Sequence, residues 1–462
     1  MSSHATRVRI DREEVLRSVR HVIDEDKDLW AHYRVNGFFE DGYPRCSPQV
    51  PTGNVAYAAH PLHGAYLINR LVARYDKSLN RKWLDAAILV LNAALGRMTR
   101  VGDTLIFEYR VGDGINLFPY NFYSGLTQAR YLNALVALSA RDAGLSLDAV
   151  ILSIMESLCV PVESGGVMLR NKYGCFIEEY PAEFPSYVLN GWLTTLNIFF
   201  KYALVRNDSR FIEICRVSAK TVASNLSRYD VPEQQNSFYK LSAGIPIELH
   251  ADCVDSFEVL SLSMSSSDQA YEWEFSRAST SRSLVTVSKL HSNAEGLPLG
   301  NIFKCVALAS CIDIAGEARV KLKIRVKQAC NISIFTREAE WSLKSHRPRE
   351  GDLVCLRECS WVKGDLHEVE FQIPNCNLRS WLGCTPFGKS IGGRYYNAYH
   401  FIHVKALSEL MKYFESEEVM HYRDKWFGYI LEWPSQTRYS EAGVSLLPYG
   451  CNSFEELKER LL

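Results

Sequence analysis

The sequence has no surplus of charge: 52 Lys and Arg stand against 53 Asp and Glu, a net charge of -1. A protein built to grip a phosphate backbone carries a clear positive excess, so this balance argues against a general nucleic-acid binder. Long apolar runs are missing too. No stretch reaches the ~18 uncharged apolar residues that a membrane helix needs. The richest run, VLNGWLTTLNIFF (188–200), contains Asn190, Gly191, Thr194, Thr195 and Asn197 and reads as a buried helix. The first residues, MSSHATRVRIDREEVLRSV, lack the apolar core of a signal peptide, so a cytoplasmic location is expected. None of the 13 cysteines sits in CxxC spacing, and the closest pair, Cys355 and Cys359, has no second half-site nearby. A structural zinc is therefore not expected, and an odd number of cysteines cannot all pair within one chain. They read as reduced, small buried hydrophobes. No repeat is sharp enough to define a solenoid by its period.

What is present is ordinary globular material, 47% hydrophobic and 23% charged, and 462 residues suggest two or three domains. The first half has helical periodicity. Leu62, Tyr66, Leu67, Leu71 and Tyr75 recur at three- and four-residue intervals, and residues 83–95, 123–140, 188–204 and 211–226 repeat the pattern. The connecting segments are rich in Gly, Pro and aromatics, which suggests helix pairs circling a cleft, with a helical solenoid as the plainer alternative. Near residue 245 the pattern changes. Residues 257–265, 271–276, 283–290, 302–312, 318–326, 330–337 and 367–373 alternate polar with apolar or β-branched side chains, as short antiparallel strands do. Helical spacing returns after Trp381, over 400–416 and 422–432. The expected fold is α+β: an (α/α) toroid from residues 1–245 and 381–462, with an antiparallel β-sandwich inserted at 246–380.

One segment stands out chemically. EEYPAEFPSYVLNG (178–191) places Glu178, Glu179, Glu183 and Tyr180 in a loop just before a very apolar helix. Pro181 and Pro185 keep that loop extended. Ser186 as a helix cap is the structural reading of the same stretch. Loops on rigid scaffolds often hold function, so the segment is also a candidate site. Tyr120, Phe122 and Tyr123 form an aromatic loop ahead of Gln128 and Arg130, and aromatic faces stack on sugar rings. His60 and His63, with no acid nearby, read as first-turn residues rather than metal ligands.

EEYPAEFPSYVLNG resembles the signature of the D-glucuronyl C5-epimerase family, which reads approximately EEYP, six residues rich in Thr, Pro and Ser, then VLNG. FYSGLTQAR (122–130) is similar to that family's WYSAMAQGQ helix start. Tyr229-Asp230 followed by Ser237-Phe238-Tyr239 is similar to its Y-D…Y segment, and AYHFIHV (398–404) to its DYHTTHI. The segment 246–380 has no counterpart there. The resemblance implies a fold, an activity and a set of residues. Tyr180 and Tyr399 match the two central catalytic tyrosines, Tyr239 a third, Glu179 the carboxylate beside the first, and Asn190 a substrate-contacting asparagine. The family carries Arg three residues after its third tyrosine. Here that position is Ser242, and Lys240 or Arg394 stand as replacements.

The implied reaction, inversion of D-glucuronic to L-iduronic acid in a glycan, removes the C5 proton beside a carboxylate and returns one to the opposite face. It needs one base and one acid on opposite sides of the ring. A tyrosine, ordinarily at ~10, must have its phenolate favoured to act as base and stays neutral as acid. Charge building on the carboxylate must be stabilised by cations or hydrogen bonds. His400, His403, Arg130, Lys240 and Arg394 are the expected contributors, with Gln128 and Tyr123 as further substrate contacts. No metal or redox cofactor is needed. The expected partner is a uronic-acid-containing polysaccharide or oligosaccharide, with a homodimer by resemblance. The same carbanion can instead expel the 4-linked sugar, which makes a polysaccharide lyase the alternative. A glycoside hydrolase built on a carboxylate pair, Glu178, Glu179 or Glu183 with another acid, is another, and a non-catalytic glycan-binding protein a third.

Overall fold

The structure, a computed structural model, describes residues 37–49, 56–116, 118, 120–142, 144–181, 185–253, 256–266, 269–274, 288–291, 301–310, 312, 318–362, 366–373, 375–391, 394–444, 447 and 451–462. The chain is α+β. It divides into two compact units, one of residues 1–181 with 191–221 and one of residues 182–190 with 222–462.

The first unit is mainly helical. Helix α1 (Pro61–Ser78) starts with a proline at its first position and with His60 as cap, whose Nδ1 accepts from the Leu62 N–H at 3.2 Å. It buries Leu67, Ile68, Leu71 and Val72, and packs on α2 (Arg81–Leu95) and α3 (Gly125–Ser139). Leu79, at φ 53°, ends α1 in the left-handed region, and Asn80 caps α2 at once. Helix α4 (Asp148–Ser157) was not legible in the sequence, and α5 (Leu189–Arg206) and α6 (Ser209–Tyr229) match the expected periodic runs. Among the described residues, no helix is long and apolar enough to cross a membrane.

The second unit holds two antiparallel sheets. In chain order the strands are β1 (Ser242–Ala251), β2 (Phe257–Ser266), β3 (Gln269–Glu274), β4 (Ser288–His291), β5 (Asn301–Ser310), β6 (Ala318–Val326), β7 (Cys330–Glu340), β8 (Arg349–Trp361) and β9 (Leu366–Ile373). One sheet has the order β4-β5-β1-β7-β8, the other β3-β2-β6-β9. The expected strands at 257–265, 302–312, 318–326, 330–337 and 367–373 are found. Of the expected strand at 283–290, residues 283–287 lie outside the described residues.

Two strands escaped the sequence reading. β1 is central and buried on both faces, so it shows no alternation, and Pro246 punctuates it. The strand tolerates that proline because its ladder with β7 runs only from Glu248 to Ala251, leaving Pro246 beyond its end. β8 is an edge strand with mostly exposed side chains, so it has no apolar period.

Helices α7 (Ala398–Met411) and α8 (Glu417–Glu432) follow. Asp230, just after α6, ties α8 to the unit: its buried carboxylate accepts from the Trp426 Nε1–H at 2.9 Å, the Tyr429 hydroxyl at 3.1 Å and Lys425 Nζ at 2.6 Å. Removing it with Asp230→Ala leaves buried donors unsatisfied, an expected cost of about 2 kcal/mol. A urea denaturation midpoint unchanged from the wild type would refute that.

Candidate functional site

In the first unit the hairpin Met168–Asn171/Gly174–Ile177 delivers the chain to Glu178. The Glu178 N–H donates to the Val167 carbonyl at 2.8 Å, and its own carbonyl accepts from the Gly125 N–H at 3.3 Å. A Cβ at position 125 would lie 2.6 Å from that carbonyl, so glycine is what lets the first turn of α3 sit there. Glu179 and Tyr180 follow directly. Tyr180 is half-buried, its ring 5.8 Å from Phe118. Phe118 stacks on Tyr120 at 5.4 Å and meets Phe122 edge-on at 5.3 Å. Phe122 stacks on Tyr109 at 4.8 Å, and Tyr109 meets His60 edge-on at 5.8 Å. The result is a band of rings, most of them partly exposed, beside Tyr180.

Glu179 is the unusual group. Its Oε2 is sealed from solvent and has no hydrogen-bond partner among the described residues. Burial, reinforced by the neighbouring charge of Glu178, pushes its pKa up to about 7. A Cβ at Gly191 would lie 2.7 Å from the Glu179 Cβ, so the glycine that ends the motif makes room for this carboxyl. Arg130, half-buried on α3, lies 5.6 Å over the Tyr66 ring, and its Nε has no hydrogen-bond partner among the described residues.

Gln128 and Tyr123 do not meet the expectation set for them. Both are buried and spent on the scaffold. Gln128 Nε2 donates to the Leu105 carbonyl and to Ser157 Oγ, each at 2.8 Å, and Oε1 accepts from the Phe107 N–H at 3.0 Å. The Tyr123 hydroxyl donates to the Ser157 carbonyl at 2.6 Å. The reason is the two-residue period of the short strand Phe122–Tyr123: Phe122 takes the more open side and Tyr123 the core.

In the second unit Tyr239 is pinned through its main chain. Its N–H donates to the Gly383 carbonyl and its carbonyl accepts from the Leu189 N–H, both at 3.1 Å. Asn190 follows Leu189, and its buried Oδ1 has no hydrogen-bond partner among the described residues. Tyr399 lies in the first turn of α7, whose cap Asn397 accepts from the His400 N–H at 2.9 Å and donates to Thr385 at 3.0 Å. The Tyr239 and Tyr399 rings meet edge-on at 4.8 Å, both half-buried. The structure therefore brings together two of the three expected tyrosines within one unit. Tyr180 belongs to the other unit.

The two histidines of the AYHFIHV stretch are wholly buried and are not cations. His400 Nε2 faces the Trp426 carbonyl at 3.0 Å and so carries the proton. Its Nδ1 then accepts from Ser237 Oγ–H, and Ser237 Oγ accepts from His403 Nδ1–H, each at 2.9 Å. Burial holds His400 at about 4 and His403 well below its ordinary value, so both are neutral near pH 7. They lock α7 to the Ser237 strand instead of stabilising substrate charge. Lys240 is half-buried beside Tyr239, and Arg394 is exposed on the hairpin Lys389–Ile391/Arg394–Tyr396.

One neighbour of the tyrosine pair had no local signal in the sequence. His346, in the loop between β7 and β8, places its ring 4.8 Å from that of Tyr239. The loop is docked by the Phe387 N–H, which donates to the Leu343 carbonyl at 2.8 Å, and by Lys344 Nζ, which donates to the Tyr395 hydroxyl at 2.9 Å. A Cβ at Gly383 would overlap the main chain of His346. Gly383→Ala is expected to cost about 1–3 kcal/mol by overpacking and to speed amide hydrogen exchange across 341–348; unchanged exchange there would sink the idea. The loop also borders a cavity of about 370 Å³ lined by Phe238, Arg379, Gly383, Ser345 and Pro348 among others.

Residues 104–257, about a third of the chain, match the family described as D-glucuronyl C5-epimerase C-terminus. The match includes Glu179, Tyr180, Asn190 and Tyr239 and bears out the resemblance read from the EEYP and VLNG motifs. It ends inside β2, and the Tyr399 segment lies beyond it. No curated protein matches the chain.

Proposed function

We propose that the protein is a uronyl C5-epimerase, inverting D-glucuronic to L-iduronic acid in a glycan by moving the C5 proton through tyrosines. The match over residues 104–257 carries this reading, because Glu179, Tyr180, Asn190 and Tyr239 fall inside it; Tyr399 rests on the likeness of AYHFIHV to the family's DYHTTHI. Tyr180 and Tyr399 are the two proton-transferring groups, Tyr239 supports Tyr399, and Glu179 and Asn190 serve the same ring. The ring band of Phe118, Tyr120 and Phe122 offers flat apolar faces on which pyranose rings stack. With this reading go an (α/α) toroid for the helices, a sandwich for the two sheets, and a homodimer.

The test is incubation with a glucuronate-containing polymer in deuterated water, followed by proton NMR and by absorbance at the unsaturated-uronate band. Loss of the C5 proton signal without new absorbance is expected. New absorbance with chain shortening would mean a lyase. The absence of exchange on any uronate polymer would overturn the proposal.

A further inference from the structure

We propose that the loop between β7 and β8 completes the carboxylate-binding side of the Tyr239–Tyr399 site, with Arg347 and Lys240 as the cations that hold a uronate carboxylate. The identity of the ligand rests on the epimerase reading; the placement of the cations does not.

The argument begins with a missing group. The resemblance implies an arginine at position 242, and a serine stands there. Nor can that position serve a ligand. Ser242 opens β1, is 2% exposed, pairs with Ser310 in β5, and its Oγ is sealed with no hydrogen-bond partner among the described residues. A carboxylate at the tyrosine pair must therefore be held by charge from other positions.

The loop supplies part of it. Gly383 leaves the space, and Leu343 and Lys344 hold the loop through their hydrogen bonds with Phe387 and Tyr395. His346 is thereby set against Tyr239. Lys240 is the next residue after Tyr239, and Arg347 the next after His346. Each of the two rings in contact thus has a cation as its next neighbour in the chain. Their field reaches the imidazole: burial first, then Lys240 and Arg347, hold His346 down to about 4, so it is neutral near pH 7 and adds no competing proton. Arg347 is exposed and makes no ion pair among the described residues, leaving its planar fork open to a carboxylate. Lys344 is committed to Tyr395, 4.1 Å over its ring. This division of labour gives the otherwise unmatched sheet segment a part in the chemistry: it adds Arg347 to Lys240, the cation that the matched segment brings.

The test compares the wild type, R347A, R347K and K240A by calorimetric binding of a glucuronate polymer and of the same polymer with its carboxyls reduced to alcohols. The wild type should prefer the carboxylated form. R347A and K240A should each weaken that binding about tenfold or more, leave binding of the reduced polymer unchanged, and keep the wild-type melting temperature; R347K should recover part of the loss. In the exchange assay the loss should fall mainly on KM. Carboxylate preference in the wild type without C5 exchange would retain the loop's role and overturn only the epimerase reading. Equal affinity of R347A and wild type for the carboxylated polymer, or a wild type that binds both polymers alike, would overturn the proposal.

Discussion

Tyr399→Phe should abolish inversion, with a drop in rate of about 10²–10⁴-fold, the range that a positioned acid or base contributes. Only the hydroxyl is removed. The ring remains edge-on to Tyr239, and the cap of α7 by Asn397 does not involve the phenol, so folding should change by no more than about 1 kcal/mol and KM should hold. Tyr180→Phe should fall as far. The two variants need not be silent in every assay. In a two-group mechanism each group handles the proton on one face. A protein that has lost one group can still remove and return a proton on the other face without inverting the centre. Residual deuterium uptake is therefore expected on one epimer for Tyr180→Phe and on the other for Tyr399→Phe. That pattern would assign the base for each direction. More than a tenth of wild-type inversion in either variant would remove that tyrosine from the proton path.

The elements with strong periodicity were legible. Helices α1, α2, α3, α5 and α6 lie within a few residues of their expected bounds because one face of each is apolar at helical spacing. The strands at 257–266 and 318–326 were legible for the same reason at period two. What failed has a common cause: burial is a tertiary property. β1 is buried on both faces and β8 exposed on most of its length, and neither condition leaves an alternating trace.

The site shows the same limit. A motif match carries residue types but not the direction of their side chains. Tyr180, Glu179 and Tyr239 were nominated through motifs, and so were Gln128, Tyr123, His400 and His403. Those four are committed to the scaffold by hydrogen bonds that only the folded chain displays. His346 lies far along the chain from Tyr239 and carries no local signature, since the contact exists only because the β7–β8 loop folds back onto Gly383.

Glu179→Gln should remove a pH dependence from stability. The sign follows from the direction of the shift. Burial and the charge of Glu178 raise the Glu179 carboxyl from 4.5 to about 7 in the folded chain, so the fold favours the protonated form. The corresponding stability is fully present below about pH 4.5 and is lost as pH rises through 7. At roughly 1.4 kcal/mol for each pH unit between the two values, the wild type should lose about 3 kcal/mol from pH 4.5 to 8 through this group. Glu179→Gln, neutral throughout, should be flat by comparison and more stable than the wild type above pH 7. Urea denaturation at half-unit intervals would measure the difference directly. The same carboxyl changes charge where a general acid or base is most effective, and it adjoins Tyr180 in the chain. The wild-type rate profile should therefore show a limb near pH 7 that the glutamine variant lacks. Parallel stability curves for the two proteins between pH 4.5 and 8 would mean that the carboxylate is solvated after all. Its sealed Oε2 and the space left for it by Gly191 would then have no electrostatic consequence.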